Sequence, residues 1–254
     1  MITVDSDTSG LIKKIGEARA VTGQTLAAVL RSEGRLLAVE LAMVTQPYGF
    51  DNKALQQGEA ALARDYRKIY ITDDNGLALV MSCGARAKDR PAAQIRFDNY
   101  AKAGNGGALD KVMQDMHLKI DYARTAKPSY HDRRWKNGRL HKGANLAVLN
   151  PKSVGNLIKR EQRKVGFAKS GWAACARELG GTRGIPQWVT RGKCPGRVIV
   201  DYKGPENITV TLINEGNFTS RVLSQGGKAL AISNRIQKIQ SVLDMTLKRN
   251  FQKI

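Results

Sequence analysis

The residue types that carry out most enzyme chemistry are sparse in this chain and do not stand at catalytic spacings. The 254 residues include three histidines and three cysteines, and Cys83, Cys175 and Cys194 lie far apart. A structural zinc site needs several converging ligands, usually in closely spaced pairs, and no CxxC pair is present. The GxSxG, P-loop and HExxH motifs are also absent from the sequence. We therefore expect no metal, no cofactor and no enzymatic activity.

Two further features invite a chemical interpretation, and both are better explained as turns. Asp73 and Asp74 could form a pair of acidic catalysts, but Asn75 and Gly76 follow them, and such a run is typical of a turn. The glycine-rich stretch 104–107 could cradle a phosphate, but the Lys-Ser or Lys-Thr of a P-loop does not follow it.

A segment that interleaves aromatic and basic side chains is the strongest candidate for a contact surface. It runs from Tyr130 to Lys142 and contains the candidate contact residues Arg133, Arg134, Trp135, Lys136, Arg139 and Lys142. Arginine and lysine attract phosphates, and aromatic rings stack on bases. Basic loops also dock on acidic protein surfaces. The segment therefore predicts contact with nucleic acid or with an acidic partner protein, and both interpretations stay open.

The charge of the whole chain favours a polyanionic partner. Forty-two Lys and Arg face twenty-two Asp and Glu, a formal net charge of +20. The excess is regional, because residues 1–65 hold seven basic and eight acidic groups, whereas residues 123–170 hold thirteen and two. Residues 221–254 hold seven basic groups and one acidic group. Such a field attracts nucleic acid, an anionic membrane or an acidic protein.

Helices are expected to position most of these residues. Apolar spacing predicts a helix from about Leu11 to Val44, with a break near Val21–Gly23, and a second helix over Asn52–Ile69 with Asp51 as N-cap. A third helix is predicted from Pro151 to Leu179. Its polar side is expected to carry Lys159, Arg160, Arg163, Lys164 and Lys169, of which the first four are further candidate contact residues.

The C-terminal part predicts a hairpin and a last helix. Strands are expected over Arg197–Tyr202 and Asn207–Asn214, and a helix over Arg221–Phe251. The candidate residues for packing or for a subunit interface are Trp172, Trp188, Ile236, Ile239 and Leu243.

The predicted fold class is α/β in the broad sense, more narrowly α+β. We expect a small antiparallel sheet packed by long N-terminal, central and C-terminal helices. Residues 1–254 are predicted to form a single ring-forming domain, with 84–143 as a basic, loop-rich insertion. Within the insertion, residues 109–120 predict a short helix, and Leu77–Cys83, just before it, predict a strand. The first ten residues lack the pattern of a signal peptide, and no apolar run approaches the roughly 20 residues that span a membrane.

Several short segments together resemble the tail-completion or neck proteins of long-tailed bacteriophages. The resemblance covers residues 1–72 and 144–254. It is carried by VGFAKSGWAACA at 165–176, LGG at 179–181, IPQWV at 185–189, TQP at 45–47, GEAA at 58–61 and RDY at 64–66.

The resemblance implies a structural virion protein at the junction of the phage head and tail. It implies a homo-oligomeric ring of about six or twelve copies, between a ring on the portal or adaptor side and a ring on the tail side, with packaged DNA as a further contact. The protein would be made in the host cytoplasm and reside in the virion. The alternative is a non-sequence-specific nucleic-acid-binding protein that uses residues 123–170 and 221–254.

Overall fold

A computed structural model describes residues 26–72, 75–76, 86–104, 107–117, 121–136, 139–140, 146–148, 150–202, 208–217 and 219–251. Helices combine with small sheets in these residues, so the protein is α+β as predicted. The chain divides into two compact units. The first unit consists of Met1–Gly58 and Lys164–Ile254, and the second of Glu59–Arg163. The predicted insertion, 84–143, lies within the second unit.

Two helices open the described part of the chain, α1 over Leu26–Val44 and α2 over Asn52–Ile69. The Asp51 carboxylate accepts a hydrogen bond from the Ala54 backbone N–H at 2.8 Å, which confirms Asp51 as the cap of α2. The part of the first predicted helix before Leu26 lies outside the described residues, as does the predicted strand at Leu77–Cys83.

The second unit contains a succession of short elements. In chain order these are β1 (Tyr70–Ile71), a 3-10 turn (Ala87–Asp89), α3 (Arg90–Lys102), α4 (Ala108–Asp115), β2 (Tyr122–Ala123), α5 (Pro128–Arg134), β3 (Trp135–Lys136), β4 (Arg139–Leu140), β5 (Leu146–Val148) and α6 (Pro151–Gln162). Helix α4 agrees with the short helix predicted there, whereas α3 was not predicted.

A three-stranded parallel sheet lies at the centre of the second unit, in the order β1-β5-β2. All three side chains of the central strand are buried, and they point alternately to the two faces. Leu146 and Val148 pack with apolar residues of α2 and α6, whereas Ala147 packs with residues of α3 and α4. Helices therefore cover both faces of the sheet, as a parallel sheet requires. The sequence analysis did not predict this sheet.

The remaining elements belong to the first unit. They are α7 (Phe167–Glu178), α8 (Gln187–Thr190), β6 (Gly196–Tyr202), β7 (Ile208–Asn214), α9 (Thr219–Val222) and α10 (Gln225–Phe251). Strands β6 and β7 pair antiparallel from Gly196 opposite Asn214 to Tyr202 opposite Ile208, which confirms the predicted hairpin pairing. Helix α7 packs against this hairpin and against α1, and α10 also packs on α1.

Two of the predicted helices are interrupted. The helix expected over Pro151–Leu179 breaks between α6 and α7, where Gly166 has a φ of +89°. A side chain there would be strained, and its Cβ would lie 2.8 Å from the Trp188 ring. The helix expected over Arg221–Phe251 also breaks, at Leu223 and Ser224. Its second part restarts because the Ser224 hydroxyl accepts a hydrogen bond from the Gly227 backbone N–H at 3.1 Å.

Glycines allow α7 to lie directly on the hairpin backbone. A Cβ on Gly196 would lie 2.0 Å from the Gly171 carbonyl oxygen, and a Cβ on Gly171 would lie 2.4 Å from Asn214 Oδ1. Asn214 is buried and donates to the Ala168 carbonyl at 2.7 Å, while its Oδ1 accepts from Thr219 Oγ1 at 3.0 Å. The contact between Gly171 and Asn214 therefore ties the helix, the hairpin and the start of α9 together.

The glycine contact predicts a clear difference between two Gly→Ala substitutions in the first unit. Gly171→Ala should lower the free energy of unfolding by about 1–3 kcal/mol, because the added methyl group overpacks the site against Asn214. Gly226→Ala in α10 meets its nearest neighbouring atom at 3.9 Å, and it should leave stability unchanged or raise it by up to ~1 kcal/mol. Urea unfolding followed by circular dichroism measures both. Equal stability of the two variants would show that α7 can move away from the hairpin at little cost.

Candidate partner and nucleic-acid interfaces

Helix α7 carries a fully buried lysine that the sequence analysis placed on the polar side of the helix. Lys169 has no exposed surface. Its Nζ donates to the carbonyl oxygens of Ala42 and Gly49 at 2.8 Å each, and lies 3.4 Å from that of Met43. Ala42 and Met43 belong to the last turn of α1, where carbonyls lack partners within the helix. Lys169 therefore caps α1 from a distant part of the chain.

Two aromatic rings complete the surroundings of the Lys169 ammonium. Its Nζ lies 5.1 Å from the centre of the Phe50 ring and 5.5 Å from that of Trp188, within the range of cation–π attraction. The indole N–H of Trp188 donates to the Phe50 carbonyl at 3.2 Å. Burial lowers the pKa of Lys169 to about 7.

This geometry gives Lys169 a positioning role. A lysine with a lowered pKa can act as a nucleophile when a substrate reaches its amine. Here the amine is buried, and it faces three backbone carbonyls of the Ala42–Gly49 region. Together with Trp188, the lysine holds the loop Thr45–Phe50 after α1. Tyr48 lies on this loop with 63% of its surface exposed.

Parts of four of the six segments that carry the phage resemblance meet in the first unit, whereas the RDY segment at 64–66 belongs to the second unit. Lys169 contacts the backbone of Gly49, and Gly166 lies against the Trp188 ring. A Cβ on Gly58 would lie 2.8 Å from Val165 and 2.9 Å from Pro47, so these residues are also closely packed. Segments near 45–49, 58, 165–176 and 185–189, separated in the sequence, thus form one packed cluster.

A basic face lies in the second unit, on α6. Lys159 and Arg160 are exposed on it, and Arg163 is exposed just after its last residue. Lys152 and Asn156 continue the same face toward the N-terminus at helical spacing. The opposite side of the helix carries the buried residues Val154, Leu157, Ile158 and Glu161. Lys164, also exposed, begins the second segment of the first unit.

The aromatic and basic segment Tyr130–Lys142 is partly structural. Arg133 is exposed at the end of α5, but only 17% of the Arg134 side chain is exposed, and its Nη2 lies 3.1 Å from the Asp121 carboxylate. Trp135 and Lys136 form β3, which pairs antiparallel with Arg139 and Leu140. Of these, Arg139 has an exposed side chain, and Lys142 lies outside the described residues.

Basic residues of α10 bind acidic residues of α1. The Arg235 guanidinium Nε lies 3.1 Å from the Glu33 carboxylate, and Lys238 forms an ion pair with the buried Glu40. Lys228, near the start of α10, is itself buried. Arg235 and Lys238 therefore stabilise the packing of α10 on α1. The sequence analysis did not predict these ion pairs, because each joins residues about 200 positions apart.

The residues predicted for packing or for a subunit interface lie mostly in the first unit's interior. Trp172 is fully buried, and Trp188 and Ile239 are 8% and 4% exposed. Ile236 is half-buried, and the Leu243 side chain lies outside the described part of the structure.

Comparison with protein-family models, with curated proteins and with solved structures finds no significant match to this chain. Among the described residues, no helix combines the length and the apolarity needed to cross a membrane. The same residues contain no cluster of three or more His, Cys, Asp or Glu side chains that could hold a metal ion.

Replacing the buried lysine should destabilise the first unit strongly. Lys169→Met keeps the apolar stem but leaves the carbonyls of Ala42 and Gly49 without the ammonium donor. We expect the free energy of unfolding to fall by about 3–5 kcal/mol, measured by urea unfolding. Lys193→Met, at an exposed position of the same unit, is the matched control and should have little effect. Equal stability of the two variants would refute the capping role.

The lowered pKa of Lys169 also predicts a pH dependence of stability. Its pKa is about 7 in the folded protein, against the ordinary lysine value of 10.5, so the unfolded chain binds more protons between these two pH values. The contribution of this group to the free energy of unfolding therefore rises with pH from about 7 toward 10.5. The difference between the wild type and Lys169→Met should grow from about pH 7 to pH 9, because other titrating groups cancel in the comparison. A difference that does not change with pH would contradict the shift.

Proposed function

We propose that this protein is a structural component of the head–tail junction of a long-tailed phage. It joins the DNA-filled head to the tail as a neck or tail-completion protein, within a homo-oligomeric ring. The observation that supports the proposal is the cluster around Lys169, in which parts of four of the six segments of the resemblance pack together.

The cluster also suits a protein whose function is assembly. Binding is stronger when the contacting surface is ordered beforehand, because less conformational entropy is lost on association. The Lys169 ammonium and the Trp188 indole hold the Thr45–Phe50 loop by hydrogen bonds to its backbone. Tyr48 stands exposed on that loop, and tyrosine is enriched in protein interfaces. We propose that this loop contacts a neighbouring ring, on the portal or adaptor side or on the tail side.

The alternative is a nucleic-acid-binding protein that uses residues 123–170 and 221–254. The ion pairs of Arg235 and Lys238 weaken its second half, because these bases already hold α10 on α1. Its first half keeps support from the exposed bases of α6. A protein of the head–tail junction would also lie next to packaged DNA, so the proposed function explains the basic face of α6 as well. We therefore favour the head–tail junction.

The oligomeric state of the purified protein tests the ring directly. We expect a hexamer or dodecamer by light scattering across a range of salt concentrations, with rings visible by electron microscopy. A monomer that forms rings only with isolated phage particles also agrees with the proposal. A monomer that coats duplex DNA with a steep salt dependence, and never forms a ring on particles, would contradict it and support the alternative.

Loss of the protein during phage growth tests its place in assembly. In a phage that encodes this chain, an amber codon at Trp172 should yield DNA-filled heads and separate tails that do not join, as seen by electron microscopy. Growth in a suppressor host that inserts tryptophan is the control and should restore joined particles. Complete, infectious particles in the non-suppressing host would exclude the proposed role.

A further inference from the structure

The basic face of α6 borders a groove in the second unit. The groove has a volume of about 360 Å³ and is lined by Ala126, Asn150, Lys152, Ser153, Asn156, Leu157 and Arg160. Five of its seven lining residues are therefore polar or basic.

One side of the groove is a loop that is fixed to the helix. The Ala126 backbone N–H donates to the Ser153 hydroxyl at 2.7 Å, and the Tyr70 hydroxyl donates to the Lys127 carbonyl. Arg124 and Lys127, which flank Ala126, are exposed. The groove thus runs between the 124–127 loop, which carries these two exposed bases, and the α6 helix.

The charges along α6 have one sign on the exposed side. Lys152, Lys159, Arg160 and Arg163 are exposed there, whereas the acidic residue of the helix, Glu161, is buried on the other side. Arg160 Nε lies 3.3 Å from Glu161 Oε1, yet 59% of the Arg160 side chain stays exposed. From Lys152 to Arg163 the helix rises roughly 16 Å, and one strand of duplex DNA carries about five phosphates over that length of the duplex axis.

We infer that this groove and the exposed face of α6 bind the sugar–phosphate backbone of duplex DNA. Lys152, Lys159, Arg160 and Arg163 pair with phosphates along one strand. Asn156 and Ser153 line the groove, and polar side chains commonly contact phosphate and sugar oxygens. The inference assigns a ligand to the second unit and does not depend on the proposed function.

The composition of the surface favours DNA over an acidic protein. Protein interfaces have an apolar or aromatic centre with charges at the rim. The exposed large apolar residues of the described chain lie elsewhere, at Tyr48, Ile95, Phe167, Ile199, Leu230 and Val242. The described side chains of the groove include no aromatic ring, so the stacking contacts typical of single-stranded nucleic acid are also missing there.

Fluorescence anisotropy with a labelled 20-bp duplex tests the inference on the full-length protein. The variant K152Q/K159Q/R163Q leaves the Arg160–Glu161 contact intact, and its matched control, R86Q/K88Q/K102Q, removes the same charge from exposed positions of the same unit. We expect the α6 variant to bind about tenfold more weakly or worse, and its dependence of log K on log salt to fall by about 3. The control variant should retain most of the wild-type slope.

A pair of isosteric substitutions sharpens the test. Asn156→Asp places a carboxylate in the groove and should weaken binding about fivefold, whereas Asn99→Asp, exposed on α3, should leave it nearly unchanged. Circular dichroism and thermal unfolding establish that each variant is folded.

Two results would overturn the inference. Equal losses in the α6 and control variants would mean that net charge alone attracts DNA. Displacement of the duplex by poly-glutamate, as effective as by unlabelled duplex at equal charge, would indicate an acidic protein partner instead. The oligomeric state of the K152Q/K159Q/R163Q variant separates this inference from the proposed function. If the variant loses DNA binding but keeps the oligomeric mass of the wild type, the groove binds DNA and is not needed for ring formation.

Discussion

The first unit depends on a single buried ammonium group. An unpaired charge in a protein interior is strongly unfavourable. Three carbonyl oxygens and two aromatic rings reduce that cost around Lys169 without removing it, since burial still lowers its pKa to about 7. The same contacts require that the end of α1, the loop after it, α7 and the Trp188 turn all meet at one point. A small displacement of any of them would leave the ammonium or the carbonyls unsatisfied. The contacts of Lys169 thus fix the relative positions of three parts of the chain, which are the stretch 42–50, α7 and the Trp188 turn.

Glycines allow α7, the hairpin and the Trp188 ring to approach one another closely enough to form these contacts. Gly166 turns the chain into α7 with a positive φ and leaves room for the Trp188 ring, which in turn faces Lys169. One turn further on, Gly171 lets the helix backbone touch the strand at Gly196. A helix with ordinary side chains at these positions would stand farther from the hairpin. Close backbone packing and the buried lysine are therefore two parts of one arrangement.

The sequence predicted the elements whose signals are local and long enough to read. The cap at Asp51, the hairpin pairing and the fold class follow from neighbouring residues, and the structure confirms them. The alternation expected along the second strand is not kept, because Leu212, Ile213 and Asn214 are all buried. The parallel sheet was missed because strands of two or three residues show no measurable alternation, and its strands pair across long separations. Lys169 was placed on the polar side of its helix by residue type. Its spacing to Trp172, Ala173 and Ala176, all buried, was the available sign that it belongs to the apolar stripe.

Residue type also misleads when the net charge of a segment is used to predict a charged binding surface. Both charged segments of the chain contain bases that serve the fold: Lys169 and Arg134 in one, Arg235 and Lys238 in the other. Long-range pairs neutralise such bases, and a count along the sequence cannot register them. On α6, by contrast, the acid is buried and the bases are exposed, so the net charge of that helix faces solvent. The attraction for a polyanion therefore depends on which charged side chains of a helix are exposed and which are buried. The net charge of a sequence region indicates only where such a helix is to be sought.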